Sequence, residues 1–170
     1  MALTYQAIAT ATIGSGGAST FSFTSIPQTY TDLLIKFSGR STNAGAYDDL
    51  IIKPNNSTSS INTLVFYGLG SGTPASTTFV TGLPAQGGGD TLPANTFGNA
   101  DIYIFDYTSS NSKNIMANSI AANNVASSIQ QFGVMLWSVS SAITSLYFAN
   151  FSGSNFKEFT TAYLYGIKNS

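Results

Sequence analysis

Histidine and cysteine are missing from this chain, and charge is scarce: six basic and seven acidic side chains make up 8% of the residues, against roughly 25% in an ordinary soluble domain. Without imidazole or thiol, Ser-His-Asp and Cys-His nucleophilic machinery and the usual zinc ligand sets are excluded. Without cysteine there is no disulfide framework. The basic residues are scattered from Lys36 to Lys168 and form no stripe able to neutralise a phosphate backbone, so no nucleic-acid partner is expected. Long apolar runs are lacking too. The strongest, GVMLW at 133–137, is far too short to span a bilayer, and MALTYQAIATATIG carries neither a basic n-region nor an apolar h-region. A soluble protein made without a signal, with no membrane partner, is the expectation.

More than a third of the chain is Ser, Thr, Asn or Gln, so hydroxyls and amides build the surface that Lys and Glu normally supply. With a net charge of −1, little repulsion opposes packing against copies of itself or against a scaffold. The length suits one domain spanning 1–170.

Period-two alternation dominates. LTYQAIATATI places Leu3, Tyr5, Ala7, Ala9, Ala11 and Ile13 on one face until GSGG stops it, and STFSFTSI follows with Phe21 and Phe23, which reads as a first hairpin. Further strands are expected at 32–39, 48–53, 61–68, 77–82, 101–107, 114–122, 129–139 and 142–151, and at the closing stretch. GLGSG at 68–72 reads as a hairpin turn, because it lacks the lysine and helix of a phosphate loop. About ten strands with Gly, Asn, Ser and Pro turns and no helical period define the expected fold: an all-β, single-domain antiparallel β-sandwich, jelly-roll-like.

Two regions break this pattern. In the closing stretch NFKEFTTAYLYGIKNS, a face with Phe159, Tyr163 and Tyr165 competes for burial with one carrying Ala162 and Leu164. One face is expected to pack the core and the other to be covered by a neighbouring sheet or subunit. The Gly/Pro-rich stretch at 82–99 is too long for an ordinary hairpin loop and is either a floppy tip or an arm ordered against a neighbour; Leu83, Leu92 and Phe97 as anchors, with glycines that let the backbone lie flat, favour the arm.

Candidate chemistry is sparse. Two carboxylates can hydrolyse a glycoside, but no spacing pairs Asp32, Asp48, Asp49, Asp90, Asp101, Asp106 or Glu158 across a cleft. Asn43, Asp48 and Asp49 offer oxygens for calcium without EF-hand spacing, and loop Asn and Asp more often form turns. Neither a cofactor nor a catalytic residue is assigned. Tyr30, Tyr47, Tyr67 and Tyr107 flank strand ends, where each can stack on a sugar or pack at a rim; Trp137 reads as core.

The pattern YTDLLIKFSGRS, YDDLIIKPNNS, FGNADIYIFDYTSSNSKN and ITSLYFANFSGSNFKEFTTAYLYGIK resembles small all-β structural proteins of tailed bacteriophages, in which an LxIKxxxRS segment, a YxSxNxKN turn and a closing LYGI strand recur. The resemblance covers nearly the whole chain, is weakest from about Gly68 to Asn95, and rests on strand and turn patterns. It implies a virion component and carries over no functional residues. The expectation is therefore a non-enzymatic capsid decoration (cement) protein, a homotrimer or other small cyclic oligomer contacting the major capsid protein or other virion proteins, assembled in the host cytoplasm. The alternative is a tail-fibre domain recognising a bacterial surface glycan.

Overall fold

The computed structural model describes residues 5–70, 72–79, 81–82, 84–123 and 128–168. Twelve strands follow in chain order: β1 (Tyr5–Thr12), β2 (Thr20–Phe23), β3 (Asp32–Gly39), β4 (Tyr47–Pro54), β5 (Ile61–Leu69), β6 (Ala75–Phe79), β7 (Ala85–Gly88), β8 (Gly98–Ile104), β9 (Lys113–Ala121), β10 (Ile129–Trp137), β11 (Leu146–Asn150) and β12 (Thr161–Ile167). They form an eight-stranded sheet, ordered β1-β12-β3-β8-β9-β10-β5-β6, and a four-stranded sheet, ordered β2-β11-β4-β7. Neighbouring strands pair antiparallel throughout. The all-β sandwich read from alternation is thus the fold, with the strands divided unequally between its layers.

The core between the sheets is aliphatic at one end and aromatic at the other. Leu33, Ile35, Ile102, Ile104 and Leu164 from the large sheet meet Leu50, Ile52 and Leu146 from the small one, all essentially inaccessible to water. Phe21 stacks on Phe148 with ring centroids 4.6 Å apart, and Phe37 and Phe156 pack around the pair. Trp137 is buried, as its place in GVMLW suggests.

The first hairpin is not formed. β1 pairs with β12 and β2 with β11, so consecutive strands enter different sheets. Gly16 and Gly17 take positive φ at the crossing, and an added Cβ on Gly17 would come within 2.6 Å of the Phe156 carbonyl. Carrying Phe21 and Phe23 across lets both rings bury on the inner face of the small sheet, a larger gain than a local hairpin offers. The single alternation of the first strand also breaks. A register shift between Ala7 and Ala9 lets Ala9 oppose Leu164 and Ala11 oppose Ala162 on the inner side, while Ala7 opposes Tyr165 on the outer.

The stretch 82–99 requires the second correction. Within it lies a strand, β7, which pairs with β4 through Asp49 opposite Gln86 and Leu50 opposite Ala85, and is buried along its length. Its glycines do let the backbone lie flat, but against the chain's own large sheet: a Cβ on Gly98 would overlap the backbone nitrogen of Gly88. Beyond β7, Arg40 gathers the chain. Its guanidinium donates to the carbonyls of Asp90, Leu92 and Pro93, each at 2.8 Å, and lies 3.5 Å from the Asp90 carboxylate. Asp90 also pairs with Lys157, which holds its carboxyl below the usual carboxylate range.

Candidate functional site

Alternation along β12 sends Ala162 and Leu164 into the core and Tyr163 and Tyr165 to the outer face of the large sheet. Pairing registers extend that outer face into a continuous apolar row. Leu64 opposes Val134, Val134 opposes Met116, Met116 opposes Tyr103, Tyr103 opposes Leu34, and Leu34 opposes Tyr165. Six strands thus present one side chain each, side by side. A second row runs Phe66, Phe132, Asn118, Asp101, Lys36, Tyr163, with Phe66 50% and Phe132 41% exposed. Lys36 and Asp101 neutralise one another at 2.6 Å. The face is therefore broad, largely apolar and free of net charge in these two rows, and contiguous apolar patches of this extent mark contact surfaces on soluble proteins.

Tyr103 fixes the middle of the row. Its hydroxyl donates to Asp32 at 2.7 Å, and its ring lies 4.5 Å from that of Phe105. Burial, followed by the hydrogen bond to Asp32 and its negative charge, pushes the phenol up to about 12.

The remaining anchors expected from sequence scatter. Leu92 is buried within its own chain beneath the Arg40 clamp, not offered to a neighbour. Phe97 and Phe159 do come together, at a cavity of about 490 Å³ beside the Gly16–Gly17 turn at an end of the sandwich. Phe159 is 66% exposed and has a φ of 67°, a conformation that bulky residues rarely adopt. Leu83 lies outside the described residues. Reasoning from the closing strand alone missed Phe132, Val134 and Leu136, although IQQFGVMLW carries the same signal: apolar side chains on both faces of one strand.

The tyrosines separate similarly. Tyr107 is fully buried and its hydroxyl donates to the Pro27 carbonyl, while Tyr30 covers Gly166, where a Cβ would overlap its ring. Tyr47 and Tyr67, twenty residues apart in sequence, converge on a cavity of about 210 Å³. Tyr47 and Asp49 lie on the face of β4 opposite Leu50 and Ile52, Gln86 comes from β7, and β5, β6 and β10 complete the walls with Val65, Phe79 and Gln131. Gln86 donates to Asp49 at 2.7 Å, while its own Oε1 is buried with no hydrogen-bond partner among the described residues. Burial pushes the Asp49 carboxyl above the ordinary range, partly offset by the Gln86 hydrogen bond and reinforced by neighbouring Asp48. Among the described residues Asp49 is the single carboxylate lining this cavity, so the paired acids of glycoside hydrolysis are not assembled here.

The oxygens considered for calcium are divided among local tasks. Asp48 accepts from the Ser152 hydroxyl at 2.6 Å, Asp49 from Gln86, and Asn43 donates to the Tyr47 carbonyl at 3.1 Å. Among the described residues no cluster of three acidic side chains is present. Two residues of the strand and turn motifs noted in the sequence hold the chain's own loops. Arg40 of the LxIKxxxRS segment clamps 90–93, and Lys113 of the YxSxNxKN turn is buried, donating at 2.7 Å to the carbonyls of both Ser109 and Ser141. Comparison with models of known protein families and with curated proteins finds no match.

Proposed function

We propose that this chain is a non-catalytic structural protein that assembles with copies of itself through the outer face of its large sheet, and that it serves as a capsid decoration protein of a tailed phage. The apolar row from Leu64 to Tyr165 is the observation that carries the assembly reading. Six strands at a spacing of ~4.8 Å and the two outward rows at ~6.8 Å give a footprint of roughly 400 Å² per copy. Set against an equal area of the next copy, that footprint buries roughly 800 Å², and exposed Ile120 and Leu136 beside the rows extend it toward the ~1,000 Å² at which specific interfaces begin. A second copy suits this face better than a charged partner, because Lys36 and Asp101 already satisfy one another.

The virion assignment rests on the resemblance of the strand and turn motifs to small phage structural proteins, and on a surface whose few charges make its stability only weakly dependent on salt. In this reading the sandwich is a jelly-roll-like unit with one enlarged sheet. Three copies about a three-fold axis each set this face against an adjoining surface of the next, a heterologous contact that closes the ring, leaving the remaining surface to contact the shell.

Light scattering on the purified protein tests the assembly. Wild type is expected as a cyclic oligomer, and Val134→Lys as a folded monomer whose melting temperature falls only to that of the dissociated wild type, since Val134 is 38% exposed in the single copy. A wild type that remains monomeric at high concentration rejects the interface. Quantitative mass spectrometry of particles tests the location: decoration requires a copy number that is a large, simple fraction of that of the major shell protein, and absence from the particle rejects it.

A further inference from the structure

We propose that the cavity between the β4–β7 edge and the β5–β6–β10 end of the large sheet is a binding site for one ring of a neutral saccharide. At about 210 Å³ it holds on the order of seven waters, taking ~30 Å³ for each, which is the scale of a single sugar ring and not of a drug-sized ligand. Its wall chemistry matches the two surfaces of such a ring. Tyr47 and Tyr67 offer aromatic area to the C–H face of a pyranose, and Asp49 and Gln86 offer polar groups to its hydroxyl edge.

Two features favour a hydroxyl-rich ligand over an apolar one. The Oε1 of Gln86 is a buried acceptor without a partner among the described residues, and a hydroxyl brought in beside it would satisfy it. Its amide orientation is set by the 2.7 Å bond to Asp49, because the reverse orientation would press the amide oxygen against a carboxylate. Asp49 in turn is an acceptor-rich group in a partly apolar setting, the arrangement that rewards hydrogen bonds from sugar hydroxyls. No Lys or Arg is among the described lining residues, so the site does not complement an anionic sugar. None of the lining residues belongs to the apolar row from Leu64 to Tyr165, so saccharide binding and assembly succeed or fail separately.

Saturation-transfer NMR with the intact protein tests this, using glucose, galactose, mannose and N-acetylglucosamine at millimolar concentration, with N-acetylneuraminic acid as the anionic comparison. At least one neutral sugar is expected to receive transfer, and binding is expected to weaken at least tenfold in Tyr67→Ala and in Asp49→Asn. Tyr163→Ala, on the outer face, should bind as wild type does. Should the cavity variants fail to fold, Thr77→Trp fills the space from a partly exposed rim position and must abolish the transfer. Absence of transfer to every neutral sugar, stronger binding of the anionic sugar, or unchanged binding in all folded cavity variants overturns the proposal.

Discussion

The closing strand and the Gly/Pro-rich segment look alike in sequence, since each holds large apolar side chains that a solvated strand or loop has no use for. In the fold they diverge. The outer face of β12 joins a six-strand apolar row in which Val134 and Met116 stay exposed, whereas Leu92 is enclosed and the carbonyls around it are taken by Arg40. An apolar side chain in an unexpected place therefore reports a need for cover, and the source of that cover is decided elsewhere in the chain. Here one buried guanidinium, 52 residues from Leu92, closes the loop, while Met116, Phe132 and Val134 on the outer face of the large sheet remain exposed.

The largest expected effect comes from breaking the closed region. Arg40→Met leaves at least three carbonyls without their donor and should cost about 3–5 kcal/mol, read as a lowered urea midpoint. If that loop were instead held by a neighbouring copy, the loss would depend on protein concentration in the folded monomer range. Leu92→Ala comes next, at about 2–4 kcal/mol for a buried leucine truncated to a cavity. A value near zero would mean that Leu92 is not enclosed, and would restore it as a contact residue.

The open region has a titration of its own. The Tyr103 phenol is held neutral up to about 12 in the fold, above the ordinary value of 10.0. Its contribution is thus complete below about pH 10 and is lost as pH rises toward about 12, where an ionised phenol would face Asp32. Chemical denaturation across that window should show a shallower decline for Tyr103→Phe than for wild type; parallel declines would assign the loss to other groups. The smallest effect is expected at Phe159, which stands at the end of the sandwich and away from the apolar row. Phe159→Gly relieves a left-handed backbone worth ~1–2 kcal/mol against ~0.5–1 kcal/mol of added chain entropy, a net gain of about 0.5 kcal/mol. A small rise in melting temperature with unchanged oligomeric state separates Phe159 from Tyr163 and Tyr165; dissociation would return it to the interface.

Much of the sandwich was legible because a strand declares itself locally. DLLIKFSG became β3 residue for residue, GLGSG marks the β5–β6 connection, and Trp137 is core. The failures share a cause. Strand partners, the β1 register shift and β7 depend on distant segments: AQGG has no side-chain alternation to betray a strand and is one only because Leu50 and Asp49 of β4 lie opposite. The cavity was half visible, since Tyr47 and Tyr67 stand out as strand-end aromatics. Gln86 gave no signal, because an amide in a Gly-rich stretch looks like solvent-facing loop.

By itself the sequence determined the class of secondary structure, the scarcity of charge and the surplus of apolar faces, because alternation and composition are properties of neighbours along the chain. Tertiary structure decided which surplus face remains open, because burial depends on what crosses above a strand. Arg40 reaches over 90–93 and seals one region, β7 is laid across the large sheet by glycine contacts, and the outer row from Leu64 to Tyr165 keeps Val134 and Met116 exposed.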